Sequence, residues 1–313
     1  MTDISDLVTR LCEREAASVA LQFPAGLKRK AAEIADALSG QGFAVIISGD
    51  PCYGACDLSL ELLAYADVLV HFGHTPLISH PDVLHVAWRV DFNPSVVRAA
   101  LPLLHEKAIG VITTAQHTHM LPGIVDVLRS EGFEPVFLNA GGRTPEPGQV
   151  LGCSFEAARI PGISEVLFVG TGVFHPLGVQ LATGAHVVAL DPLTGKASEV
   201  DAGKFLRKRH ALIEKARSAR HIGIIVSTKP GQNRFTLARY LLSLCDRAYL
   251  VFMNEVSPDE LLNLGFEAYV NTACPRLAYD DQIRFPVPVL TPGEFEILCG
   301  TRRWEEYRAD EIL

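Results

Sequence analysis

Ser48-Gly49-Asp50-Pro51-Cys52-Tyr53-Gly54-Ala55-Cys56-Asp57 follows directly on the apolar run Phe43–Ile47. Glycine, proline and aspartate at this density turn a backbone sharply. The stretch therefore predicts a loop carrying two thiols at the C-terminal end of a strand, where open α/β sheets place their ligands. A free cysteine is on general grounds a small buried hydrophobe, and Cys52 and Cys56 taken alone allow that reading. Two further loop cysteines, far off in the chain, shift the balance.

Outward from the loop, Val19–Phe23 reads as a short buried strand. Behind Pro24-Ala25-Gly26, residues Leu27, Ala31, Ile34, Ala35 and Leu38 recur at helical spacing among charged neighbours. Gly40 and Gly42 end that helix. After the cysteine loop come a helix near Leu58–Ala64 and a strand at Asp67–His71. This β-α-β-α-β order implies parallel pairing with right-handed crossovers.

The pattern returns at Ala108. A strand at Ile109–Thr113 and a polar turn at Ala115–Thr118 precede the helical face Leu121, Ile124, Val125 and Leu128. The strand Phe133–Leu138 follows, then a Gly/Pro-rich loop, Ala140–Gln149, leading to Leu151-Gly152-Cys153. Strands at Val166–Val169 and His186–Leu190 flank Gly172-Val173-Phe174-His175-Pro176. A third round opens at His221 with the strand Ile222–Ser227 and the turn Thr228-Lys229-Pro230-Gly231-Gln232. Its strands Ala248–Met253 and Phe266–Val270 lead to the loop Asn271-Thr272-Ala273-Cys274-Pro275. Asp201–Ala219 reads as one long, strongly charged helix, suited to a linker or an outer face. The chain thus predicts three α/β units, 1–105, 106–200 and 201–313, each with a cysteine in a loop after an apolar run: Cys56, Cys153 and Cys274.

Composition narrows the function. With 313 residues, 48% of them hydrophobic and 20% charged, the chain has ample material for cores. A net charge of −8 argues against nucleic-acid binding through a broad basic surface, though not against a local basic pocket. No apolar run approaches the ~18–20 residues of a membrane span, and Met1–Glu15 has no apolar h-region. Seven cysteines without a dense framework suit reducing cytosol, where loop cysteines are more often metal ligands or catalysts than disulfides. Cys12, Cys245 and Cys299 fall in apolar helical patterns and read as core residues; Cys52 is ambiguous.

Packed about a pseudo-threefold axis, the units would bring three equivalent loops together. Three converging thiolates suit a [4Fe–4S] cluster, whose usual fourth ligand is then missing and one iron open. Zinc completed by Asp57 or a histidine competes, although structural zinc sites draw on closely paired ligands. An open iron suggests radical chemistry with S-adenosylmethionine. The common Cys-x₃-Cys-x₂-Cys motif fails, because Ser59 stands at its third position.

The segments Gly49–Asp57, Leu151-Gly152-Cys153, Gly172-Val173-Phe174-His175-Pro176-Leu177-Gly178, Ser227–Gln232 and Asn271-Thr272-Ala273-Cys274-Pro275-Arg276-Leu277 resemble the diphthamide-synthesis family. The similarity spans nearly the whole chain. It implies three Rossmann-like domains in a triangle, a homodimer, and one [4Fe–4S] cluster held by Cys56, Cys153 and Cys274, with Cys52 left out. All three ligand positions are present, unlike a degenerate, cluster-free partner subunit. The implied reaction cleaves S-adenosylmethionine at the methionine γ-carbon. It moves the 3-amino-3-carboxypropyl group to C2 of a histidine on translation elongation factor 2, with an external electron donor.

Lys229, Gly231 and Gln232 in a turn entering a helix, whose N–H groups could meet a carboxylate, are candidates to bind S-adenosylmethionine. His175 and Arg276 join them. A solvated turn for Lys229 and a structural histidine at 175 are the plain alternatives. Quinolinate synthase, a triangular dehydratase with an open-iron cluster, is the rival family; a zinc-stabilised binding protein is the non-enzymatic rival.

Overall fold

The structure is a computed structural model describing residues 4–139 and 141–312; Ala140, the first residue of the predicted Gly/Pro-rich loop, and Met1–Asp3 lie outside the described residues. Among the described residues thirteen strands form three sheets. The first holds β1 (Ser18–Gln22), β2 (Ala44–Ile47), β3 (Val68–Phe72) and β4 (Val83–Val86). The second holds β5 (Ala108–Thr113), β6 (Glu134–Val136), β7 (Glu165–Val169), β8 (His186–Asp191) and β9 (Lys196–Glu199). The third holds β10 (Ile222–Ser227), β11 (Ala248–Met253), β12 (Ala268–Asn271) and β13 (Val289–Leu290).

All three share one spatial order, with the first strand of each unit between its second and third: β2-β1-β3-β4, β6-β5-β7-β8-β9 and β11-β10-β12-β13. Pairing is parallel except for β9, which returns antiparallel along β8. The central strands β1, β5 and β10 are nearly continuous apolar runs with almost every residue buried, as sheets covered on both faces require.

A shared device pins the start of each third strand. The Asp67 carboxylate accepts the N–H groups of Ala17 and Ser18 at 2.9 and 2.7 Å. Glu165 does the same for His105 and Glu106 at 2.9 and 2.8 Å, and Glu267 for Arg220 and His221 at 2.6 and 2.9 Å. One carboxylate at each sheet's N-terminal edge thus satisfies backbone donors that open the first strand.

Three features differ from the sequence reading. The 3₁₀ segment Pro94–Leu103, assigned above to the first unit, buries Val97 and Ala100 in the core formed by β5, β7 and β8, which Leu104 just beyond it also joins. The end of the chain returns to the second unit: Ala309 joins its core and the Ile312 N–H donates to the Cys153 carbonyl at 2.8 Å. Cys12 is exposed, not core; its helix, Ile4–Cys12, buries Leu7 and Leu11 and turns the next residue to solvent. Cys245 and Cys299 do pack against the third core.

Candidate active site

The C-terminal ends of the three sheets meet at a cavity of about 240 Å³. Its wall includes Cys56, Cys153 and Cys274, one from each unit, with His74, Gln116, Arg143, His175 and Arg276. Burial pushes all three thiols above their ordinary pKa, Cys274 to about 12, and each of the three lies in the electrostatic reach of the others. Neutral thiols so crowded and desolvated are a soft donor set that a metal cluster would convert to bound thiolates.

The three loops are not equivalent. Cys56 and Cys153 lie between the second and third strands of their units, whereas Cys274 follows the third strand, β12. In the third unit the loop after the second strand instead presents Glu255. Counted from the edge carboxylates Asp67 and Glu267, His74 occupies in the first unit the place of Cys274 in the third.

Around the sulfurs the donors are fixed. Gln232 Nε2 lies 3.3 Å from Cys56 Sγ. Arg143 Nη2 reaches the Gly231 carbonyl at 3.1 Å and Cys153 Sγ at 4.0 Å. Arg143 Nε is buried without a partner among the described residues, and the guanidinium acts to lower the pKa of both thiols. Cys52 is buried but lies outside the cavity wall, its thiol pushed up to about 12 by burial and then by Asp57.

The turn at residues 228–232 does something other than bind an anion. Its N–H groups are taken: Thr228 by Met253 O, Lys229 by Ser227 Oγ, Gly231 by Cys56 O and Gln232 by Lys229 O. Lys229 is not solvated. Its buried ammonium sits 2.9 Å from both Asp57 Oδ2 and Glu255 Oε2 and 5.0 Å from the Tyr53 ring centroid. Partnered on both sides, it is a clamp between the first and third units, not a free cation. Asp57 accepts from both Lys229 and Tyr53 N through the same oxygen, Oδ2.

His175 opens the helix Phe174–Thr183 and stacks on Phe168 at 6.0 Å. Burial, then the charge of Arg276, pushes its pKa down to about 4. Arg276 lies over the Phe174 ring at 5.0 Å and pairs with Asp280 at 2.8 Å. It borders two further cavities. One, of about 280 Å³, is lined by Lys229, Gln232, Glu255 and Ser257; the other, of about 570 Å³, by Thr114, His117, Val173, His175 and Leu193.

A family model described as "Putative diphthamide synthesis protein" matches residues 23–308. The chain belongs to the diphthamide-synthesis family. It is 41% identical over 320 residues to the 2-(3-amino-3-carboxypropyl)histidine synthase of Pyrococcus horikoshii, covering 99% of this chain and 93% of that protein. It is 30% identical to subunit 1 of the corresponding synthase from Nematostella vectensis, over 97% of this chain and 68% of that one. The crystal structure of Dph2 from Pyrococcus horikoshii with a 4Fe-4S cluster matches with a TM-score of 0.94 at 38% identity, covering 100% of this chain and 94% of that one. Membership in the diphthamide-synthesis family displaces quinolinate synthase as a reading. Among the described residues no helix is long and apolar enough to cross a membrane.

Sequence reasoning missed Arg143 and His74. Arg143 follows two glycines in a loop with no periodicity, and only the fold brings it to two sulfurs. His74 had a faint signal: His71, His74, His80 and His85 put four histidines within fifteen residues.

Proposed function

We propose that this chain is a 2-(3-amino-3-carboxypropyl)histidine synthase acting on a histidine of translation elongation factor 2, with S-adenosylmethionine as donor and methylthioadenosine as by-product. The observation that carries this reading is the convergence of Cys56, Cys153 and Cys274 from three sheets on one cavity, in a chain of this family. When bound by these three residues, a [4Fe–4S] cluster supplies one electron to the sulfonium and an iron without a protein ligand.

The chain's own residues do the rest. Gln232 and Arg143 direct N–H groups at the Cys56 and Cys153 sulfurs, orienting them and offsetting their negative charge. Gly231 lets the turn press against the Cys56 backbone. Arg143 and Arg276 present guanidinium donors to the donor's carboxylate, and His175, neutral and fixed by Phe168, borders the space between them. Leu77, Val150 and Leu151 exclude water from the cavity. The larger groove shares Thr114, Gln116, His175 and Arg276 with it and gives the protein substrate a way in. A homodimer, an external electron donor and a cytoplasmic setting belong to the same reading.

The test is anaerobic reconstitution with iron and sulfide, then reduction in the presence of S-adenosylmethionine and elongation factor 2. Methylthioadenosine release and an intact-mass gain of one aminocarboxypropyl group on a single histidine are expected. Cys153→Ala should lose the iron–sulfur absorbance and the transfer while keeping its circular dichroism. Full transfer by that variant, or 5′-deoxyadenosine as the cleavage product, refutes the assignment.

A further inference from the structure

Cluster binding leaves one group in the cavity wall unexplained. His71, fully buried on β3, and His74, just beyond it, are joined Nε2 to Nδ1 at 2.9 Å. His71 Nδ1 in turn lies 2.8 Å from Gln22 Oε1. In a neutral imidazole one nitrogen carries the proton and the other a lone pair, so the amide at the end of this chain sets its direction.

That amide is held one way round. Gln22 Nε2 is 2.7 Å from the Asp57 carbonyl oxygen, which can only accept, and 2.9 Å from Ser59 Oγ. The Ser59 N–H points at Oε1 from 3.3 Å. Gln22 therefore offers His71 an oxygen, which requires the proton on His71 Nδ1. His71 Nε2 is then a lone pair, which requires the proton on His74 Nδ1, and His74 Nε2 is left unprotonated. Burial and then neighbouring histidines push the pKa of His71 to about 2 and of His74 to about 4, so both rings are neutral near pH 7.

Among the described residues no hydrogen bond reaches His74 Nε2, and His74 shares the cavity wall with the three cysteines. Arg143 and Arg276 in the same wall offer donors only and repel a second cation. A fixed lone pair beside two guanidinium groups suits a neutral ring with an N–H, which is what an unprotonated target histidine brings. Among the described residues His175, in the same wall, has no such tether on either ring nitrogen.

We propose that His74 Nε2 accepts the imidazole N–H of the histidine being modified and so turns its C2 into the cavity. Gln22 and His71 act through His74 as positioning residues. The assignment rests on reading this cavity as the reaction chamber.

The first test needs no cluster. With ¹⁵N-histidine-labelled apo-protein, His74 should show the Nδ1–H tautomer. Imidazole should shift its Nε2 resonance, and 1-methylimidazole, which has no N–H, should not. In the loaded enzyme, transfer to elongation factor 2 by His74→Phe should fall about 10- to 100-fold relative to that variant's own methylthioadenosine release, as for one lost hydrogen bond to a buried partner. His74→Gln, which restores an acceptor, should recover part of it, mainly in the KM for the protein substrate.

The proposal is overturned by an Nε2–H tautomer, by equal responses to the two probes, or by undiminished transfer in His74→Phe. Zinc held by Cys52, His71 and His74, whose donor atoms lie within 4.8 Å of one another, also overturns it. If His74→Phe does not fold, the wild-type titration decides. Wild-type protein that releases no methylthioadenosine overturns the reaction assignment instead, and the probe titration still reports on His74.

Discussion

Gly231 has no room for a methyl group: a Cβ there would lie 2.5 Å from both Cα and Cβ of Cys56. Most of that obstruction is backbone, so the cysteine loop would have to move. Gly231→Ala should therefore reduce iron incorporation at least several-fold with little change in the melting of the apo-protein, as iron analysis beside a thermal scan would show. The buried histidines give a pH signature. His71 and His74 titrate near 6.5 when unfolded but at about 2 and about 4 in the fold. The unfolded chain thus binds more protons below about pH 6.5, and stability present above that value is lost as the pH falls towards the folded values. Each ring's share reaches about 2 kcal/mol at pH 5. Urea titrations at pH 7.5 and 5 should show that loss, smaller in a His71→Phe variant. Residues of this kind were only partly legible beforehand. The three cysteines stood out because each followed an apolar run in a loop rich in turn formers. Lys229 did not reveal its two carboxylates, since Asp57 and Glu255 meet it only after folding.

The repeated strands and their order follow from periodicity, and the sequence reading finds the first three strands of every unit. It misses β4, β9 and β13 for separate physical reasons. β4 is a four-residue strand close behind Pro81, β9 is a polar edge, and β13 is two residues among Pro286, Pro288 and Pro292. The charged helix Gly203–Ala216 hides an exception to its own composition. Arg209 is fully buried and bonds Glu294 Oε1 at 2.7 Å, with further bonds to the carbonyls of Ala278 and Val289 at 2.6 and 2.8 Å. Glu294 also accepts from Tyr307 Oη and closes the capping box with Thr291. Helical spacing gives one arginine among many no distinguishing mark. Removing the carboxylate strands a buried charge, so Glu294→Gln should lower unfolding free energy by about 3–5 kcal/mol, read from chemical denaturation.

At the scale of the whole molecule, polar side chains at the sheet ends hold the units together. Lys229 spans Asp57 and Glu255, and Arg234 forms a buried pair with Asp310 at 2.7 Å. The Phe155 N–H donates to Glu311 at 2.8 Å. Lys229→Met should leave the secondary structure intact but weaken the alignment of the first and third units, lowering cluster occupancy and methylthioadenosine release together. Limited proteolysis should then cut faster between units than within them.

The dispersal along the chain of the three cysteines proposed as cluster ligands has a temporal consequence. A ribosome that has just extruded Cys153 has delivered only two of the three anchors, and the amide of Ile312 that clasps the Cys153 carbonyl is made almost forty residues after the last of them. On the proposed assignment, iron and sulfide delivered to a nascent chain would meet an incomplete nest, and loading would await a polypeptide already collapsed around all three corners.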